Sequence, residues 1–205
     1  MRFLPSRSII LFLLSAACIL QAAETVIHPF REAYADPDTG ISFPAEIGSF
    51  RKTEVVRNFN PLIGTVIRYF DTDGGCADIY IYSLDSSKTK ISGENFLKHY
   101  DHLRKTIQNL SKKTSHVTDI KTLGEAIYQK PPLVSGRQVF FRMKIAGELH
   151  NSDLTVFPYA DKIIKIRIST PSYYSSGEKN HLSFFTEYIA NLFNTADKTE
   201  KNKKN

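Results

Sequence analysis

Two arginines and one aspartate, Arg142, Asp153 and Arg167, have the types and spacing to build an anion site. Two guanidiniums steadied by one carboxylate keep donors free for a ligand. Lys144 and Lys165 add charge to the same side. The spacing comes from a three-stranded meander read over Arg137 to Thr170. Val139, Phe141, Met143 and Ile145 alternate, as do Leu154 and Val156, then Ile164, Ile166 and Ile168. Gly147-Glu148 fits a two-residue turn that pairs Ala146 with Leu149, Phe141 with Leu154 and Arg142 with Asp153. A three-residue loop, Tyr159-Ala160-Asp161, keeps Leu154 and Val156 on the side of Ile164 and Ile166 and pairs Asp153 with Arg167. Asp153 is then expected between the two arginines, on the face away from the isoleucines. The same row also works as a cross-strand ion-pair ladder that fixes the sheet.

Other chemistry is thinner, and no catalytic residue is assigned. His99 and His102 stand three apart with Asp101 between them, a spacing that can hold a metal, but no third ligand is identifiable. A solvated helix face is the expectation, with no metal and no cofactor. Asp71-Thr72-Asp73-Gly74-Gly75 opens like a calcium loop but lacks the closing acid, so it reads as a hairpin turn. Ser135-Gly136 lacks the preceding glycine of a nucleophile elbow. Cys76 has no histidine nearby in sequence to activate a thiol. No glycine-rich phosphate loop is present.

The elements that must carry these residues run strands, helix, strands, helix. Ile41 to Pro44 and Thr53 to Asn58 read as short strands. Thr65 to Phe70 and Asp78 to Leu84 flank the Asp71–Gly75 turn as a hairpin. Ile79 and Ile81 alternate with Tyr80 and Tyr82, so both faces of this hairpin are expected to be covered. Ser92 is placed to cap a helix running to about Ser111, with Phe96, Tyr100, Leu103, Ile107 and Leu110 on one stripe. A last helix from about Glu178 to Asn194 carries Leu182, Phe185, Ile189, Leu192 and Phe193. The segment from Phe43 to Phe50 forms a corner, where Pro44 ends a strand and Phe43, Ile47 and Phe50 anchor in the core.

The chain has 205 residues, 41% hydrophobic and 23% charged, values that exclude disordered, collagen-like and multi-span membrane chains. Arg2 and Arg7, the apolar run Ile9 to Leu20 and small Ala22-Ala23 have the layout of a secretory signal, too short for a membrane span. Residues 1–23 are therefore expected to be a signal peptide, and 24–38 an extended lead-in. A single α+β domain is expected over 39–196, and a disordered Lys-rich tail over 197–205. Leu14-Ser15-Ala16-Ala17-Cys18 also resembles a lipobox, which makes Cys18 a possible lipidation site and a lipid anchor the alternative. With Cys18 removed or lipidated, Cys76 is left alone, as a buried hydrophobe or a free thiol. The net charge of +6 falls largely on the signal and tail, leaving the domain near +2, too little to argue for nucleic acid.

The order GISFP, IGSF, the VIRYF and DIYIY hairpin, a helix, a meander ending KIRIST and a last helix resembles a class of uncharacterised exported bacterial proteins. In outline it is similar to the PsbP-like α/β/α sandwich, an antiparallel sheet between helices, over residues 39 to 194. That resemblance implies an accessory or binding subunit. The expectation is an exported, non-catalytic protein of the periplasm, extracellular space or cell envelope. Its partner would be an envelope protein or a small anionic ligand, with no nucleic acid, and with a membrane only if Cys18 is lipidated. The alternative is an exported hydrolase whose site is assembled from scattered residues.

Overall fold

The computed structural model describes residues 32–58, 60–85, 89–130, 134–172 and 179–203. The expected signal, the lipidation site Cys18 and most of the lead-in lie outside the described residues. Ten strands and two helices follow in order: β1 (Tyr34–Ala35), β2 (Ser42–Phe43), β3 (Glu46–Ile47), β4 (Phe50–Arg57), β5 (Thr65–Phe70), β6 (Cys76–Ser83), α1 (Gly93–Gln108), β7 (Val117–Lys130), β8 (Val134–Ile145), β9 (Glu148–Tyr159), β10 (Lys162–Pro171) and α2 (Lys179–Lys203). This is the α+β class expected. Strands β3 to β10 form one antiparallel sheet in the order β3-β4-β5-β6-β10-β9-β8-β7, and β1 and β2 pair separately. A 3-10 turn over Leu110–Lys112 follows α1.

Both sheet faces are covered, each by one helix, because β-strands with apolar groups on both sides must bury both. On one face Phe185, Ile189 and Phe193 of α2 are fully buried against Val55, Ile67, Ile79, Phe157, Ile164 and Ile166. Burying each such side chain is worth about 1.5–3 kcal/mol. The corner residues Phe43, Ile47 and Phe50 join this cluster, as the sequence predicts. On the other face Phe96, Tyr100 and Ile107 of α1 pack on Val139, Phe141, Met143, Leu154, Val156 and Ile163. Ser92 caps α1, its hydroxyl accepting from the Asn95 N–H at 3.2 Å.

The meander register differs from the expected one. The β8–β9 turn is Ala146-Gly147, with φ of 51° and 86°, and Arg142 pairs with Asn151. Two left-handed residues match the twist of the flanking strands, so Gly147 takes the second turn position. The β9–β10 turn is the two-residue Ala160-Asp161, which pairs Arg167 with Leu154 and Asp153 with Ile168. One residue fewer in that loop turns β10 over relative to β9. Alternation cannot choose between the two registers, since either one buries an apolar row on a covered face. Two further corrections concern extent. β7 is a full strand that the sequence reading passed over. α2 continues to Lys203, through most of the tail expected to be disordered, because no proline or glycine stops it.

Candidate functional site

The register separates the five residues expected to share one site. Asp153 points to the α2 face and is buried, accepting from Gln138 Nε2 at 2.6 Å and Thr155 Oγ1 at 3.3 Å. Burial pushes its carboxyl up to about 7. Arg142 and Lys144 are exposed further along that same face, and Lys144 Nζ lies 2.7 Å from Asp119. Lys165 and Arg167 project to the α1 face. Asp153 therefore lies between neither arginine.

An Arg-Asp-Arg row nevertheless exists, built on another aspartate. In the sheet Arg68 stands opposite Asp78, and Asp78 opposite Arg167. Glu54 extends the row on β4. Arg68 is buried, its Nε donating to Asp78 at 2.8 Å and its Nη1 to Glu54 at 2.7 Å. Burial works against its charge, but the Asp78 and Glu54 carboxylates outweigh it and hold the guanidinium pKa above its usual value. The two carboxylates are thus engaged by Arg68. Arg167 has no ion pair among the described residues. Its Nε is buried without a hydrogen-bond partner, and its Nη2 reaches only the Met143 sulfur at 4.0 Å.

Beside Arg167, Lys165 lies across from Tyr80, its Nζ 3.4 Å from the ring centroid and 6.0 Å from that of Tyr82. Burial, then the adjacent Arg167 charge, lowers the Lys165 ammonium to about 8. Tyr80 Oη donates to Asp78 at 3.3 Å, and Tyr82 Oη lies 2.6 Å from His99 Nε2. Burial lowers His99 to about 4, with His102 and Lys165 contributing, so it is neutral near pH 7. His99 is therefore a partly buried contact of the sheet, not part of a solvated helix face. Two partly buried cations, an aromatic floor and a guanidinium Nε without a hydrogen-bond partner are the chemistry an anionic group would require. Sequence reading reached Lys165 and Arg167 but missed Asp78, Tyr80, Tyr82 and His99. The alternation of Tyr80 and Tyr82 with isoleucines was the signal available.

The other features settle into structure. Asp71 is buried, its carboxylate accepting from the Asp73 N–H at 2.9 Å and Ser49 Oγ at 2.8 Å, so it closes the expected hairpin turn. Cys76 is a buried free thiol that burial pushes far up. No helix among the described residues is long and apolar enough to cross a membrane.

The helix–sheet–helix layering and the meander order decide the comparison with solved structures. The fold is PsbP-like. The chain is similar to the solution structure of cyanobacterial PsbP (CyanoP) from Synechocystis sp. PCC 6803. The match has a TM-score of 0.51 and 12% identity, and it covers 84% of this chain and 95% of that one. No family model and no curated protein sequence matches. At this identity the PsbP-like likeness describes architecture and carries no site residue across.

Proposed function

We propose that the protein is an exported, non-catalytic binding protein of the cell envelope that grips an anionic group at Lys165 and Arg167. The observation that carries this reading is the Arg167 Nε, buried and without a hydrogen-bond partner beside a desolvated lysine. An unsatisfied buried donor costs about 1–3 kcal/mol, and an incoming carboxylate or phosphate recovers it. The leader-like N-terminus supports export, and the PsbP-like fold is compatible with an accessory role. The serines on the same sheet face, Ser152 and Ser169, bond each other in the interior at 3.0 Å, which favours binding over turnover.

The test is NMR titration with inorganic phosphate, citrate and an acidic peptide. The expected result is saturable shifts at Tyr80, Tyr82 and His99 that disappear in Arg167→Met and weaken in Lys165→Met. Affinity falls as pH rises through about 8, where Lys165 loses its proton. Shifts that persist in Arg167→Met, or hydrolysis of an ester or peptide substrate that this variant abolishes, would overturn the reading.

A further inference from the structure

The α2 helix leaves one part of its sheet face bare. Along β8 the α2-side residues Phe140, Arg142 and Lys144 are all exposed. On β9 Leu149 is exposed opposite Lys144, and on β7 Lys121 is exposed opposite Arg142. Leu123 joins them. It is the extra residue of the β-bulge between Thr122 and Gly124, next to the Gly124 that pairs with Phe140. Exposure is 53% for Leu123 and 38% each for Phe140 and Leu149, high values for large apolar groups on a sheet face. Among the described residues Lys121 and Arg142 have no ion pair, and Asp119 is the one acid in the patch, bound to Lys144.

We infer that this face, centred on Leu123, Phe140, Arg142 and Lys144, docks on an anionic lipid surface. Each of the three strands contributes one apolar group, and β7 and β8 add three cations between them. A fluid interface accommodates separated apolar groups, and the long basic side chains keep their charges among lipid headgroups while their stems lie on the apolar surface. A second copy of the chain is the poorer occupant, because a two-fold contact would set these cations against themselves. The surface lies on the opposite side of the sheet from Lys165 and Arg167, so it is independent of the anion site.

The chain contains no tryptophan, which allows a position-specific test. Leu123→Trp in the full chain places one indole in the patch, and Leu62→Trp, in the β4–β5 loop, places one outside it. Vesicles of phosphatidylglycerol are expected to blue-shift the emission of Leu123→Trp and leave Leu62→Trp unchanged. Vesicles of phosphatidylcholine are expected to shift neither. Neutralising Lys121, Arg142 and Lys144 to glutamine lowers partitioning about fivefold per residue, roughly 100-fold in all, and added salt does the same. Equal shifts at both positions, equal response to neutral vesicles, or no shift overturns the assignment. A shift that follows protein concentration alone marks a self-contact. A shift with polyglutamate but not with anionic vesicles marks a protein-facing surface, and either result also overturns it. Phe140→Trp repeats the measurement if Leu123→Trp does not fold, with far-ultraviolet circular dichroism as the control.

Discussion

Asp153 and His99 are buried on opposite sheet faces and bend the stability profile in opposite directions. The Asp153 carboxyl sits near 7, above its unfolded value. Its favourable contribution is complete below about pH 4 and is lost as pH rises through about 7. His99 sits near 4, below its unfolded value. Its contribution is complete above about pH 6.5 and is lost as pH falls through about 4. The two slopes offset each other between pH 4 and 6.5. Urea denaturation against pH is therefore expected to show a slope there for the native chain that lies between those of the two single variants. Asp153→Asn should leave a profile that rises with pH and gain about 1–2 kcal/mol at pH 8. His99→Gln should leave one that falls. A native-like profile in Asp153→Asn would show that the carboxylate is hydrated. The sequence places Arg167 opposite an aspartate, but the expected partner arginine, Arg142, lies on the other sheet face and Arg68 stands in the row instead. Sequence reading chose Asp153 over Asp78, because only a register decides which acid faces which arginine.

Turns set that register, and they are the least legible elements of the chain. The hairpin of β5 and β6, the Ser92 cap of α1 and the apolar stripes of both helices were legible, because spacing and capping are local properties. The β9–β10 loop was not, because a sheet buried on both faces removes the alternation penalty that identifies a wrong register. β7 escaped notice because most of its residues are exposed and bulges interrupt its pairing between Thr118 and Lys121 and between Thr122 and Gly124. Glycines at loop positions can be ranked from geometry. Gly64 has φ of 68°, and a Cβ there would lie 1.9 Å from the Ile81 carbonyl oxygen. Gly40 has the same φ of 68° with nothing within 4 Å. Gly40→Ala should cost about 1 kcal/mol from backbone strain alone. Gly64→Ala should cost about 3 kcal/mol or more, because backbone cannot yield as a side chain does. Equal losses in thermal denaturation would mean that the β6 backbone beside Gly64 gives way freely.

At the scale of the whole molecule, the sheet is two sequence-local halves joined at one place. β3 to β6 form one run of neighbouring strands and β7 to β10 the other, with α1 between them in sequence. Among the described residues the halves pair as strands only where β6 meets β10, and Lys162 there bonds Ser83 from 79 residues away. Each half closes short loops, while the junction must close a long one and pays the larger entropy. The junction is therefore expected to zip late in folding. Ile79→Val and Ile166→Val, on its two sides, should accelerate unfolding and leave refolding rates nearly unchanged in stopped-flow chevrons. A loss expressed mainly in the refolding rate would place the junction in the folding nucleus instead. Tyr80 belongs to one half, Lys165 and Arg167 to the other, so the proposed anion site straddles this seam. A ligand held there would act as a clasp, lengthening the lifetime of the folded chain without changing how fast it forms.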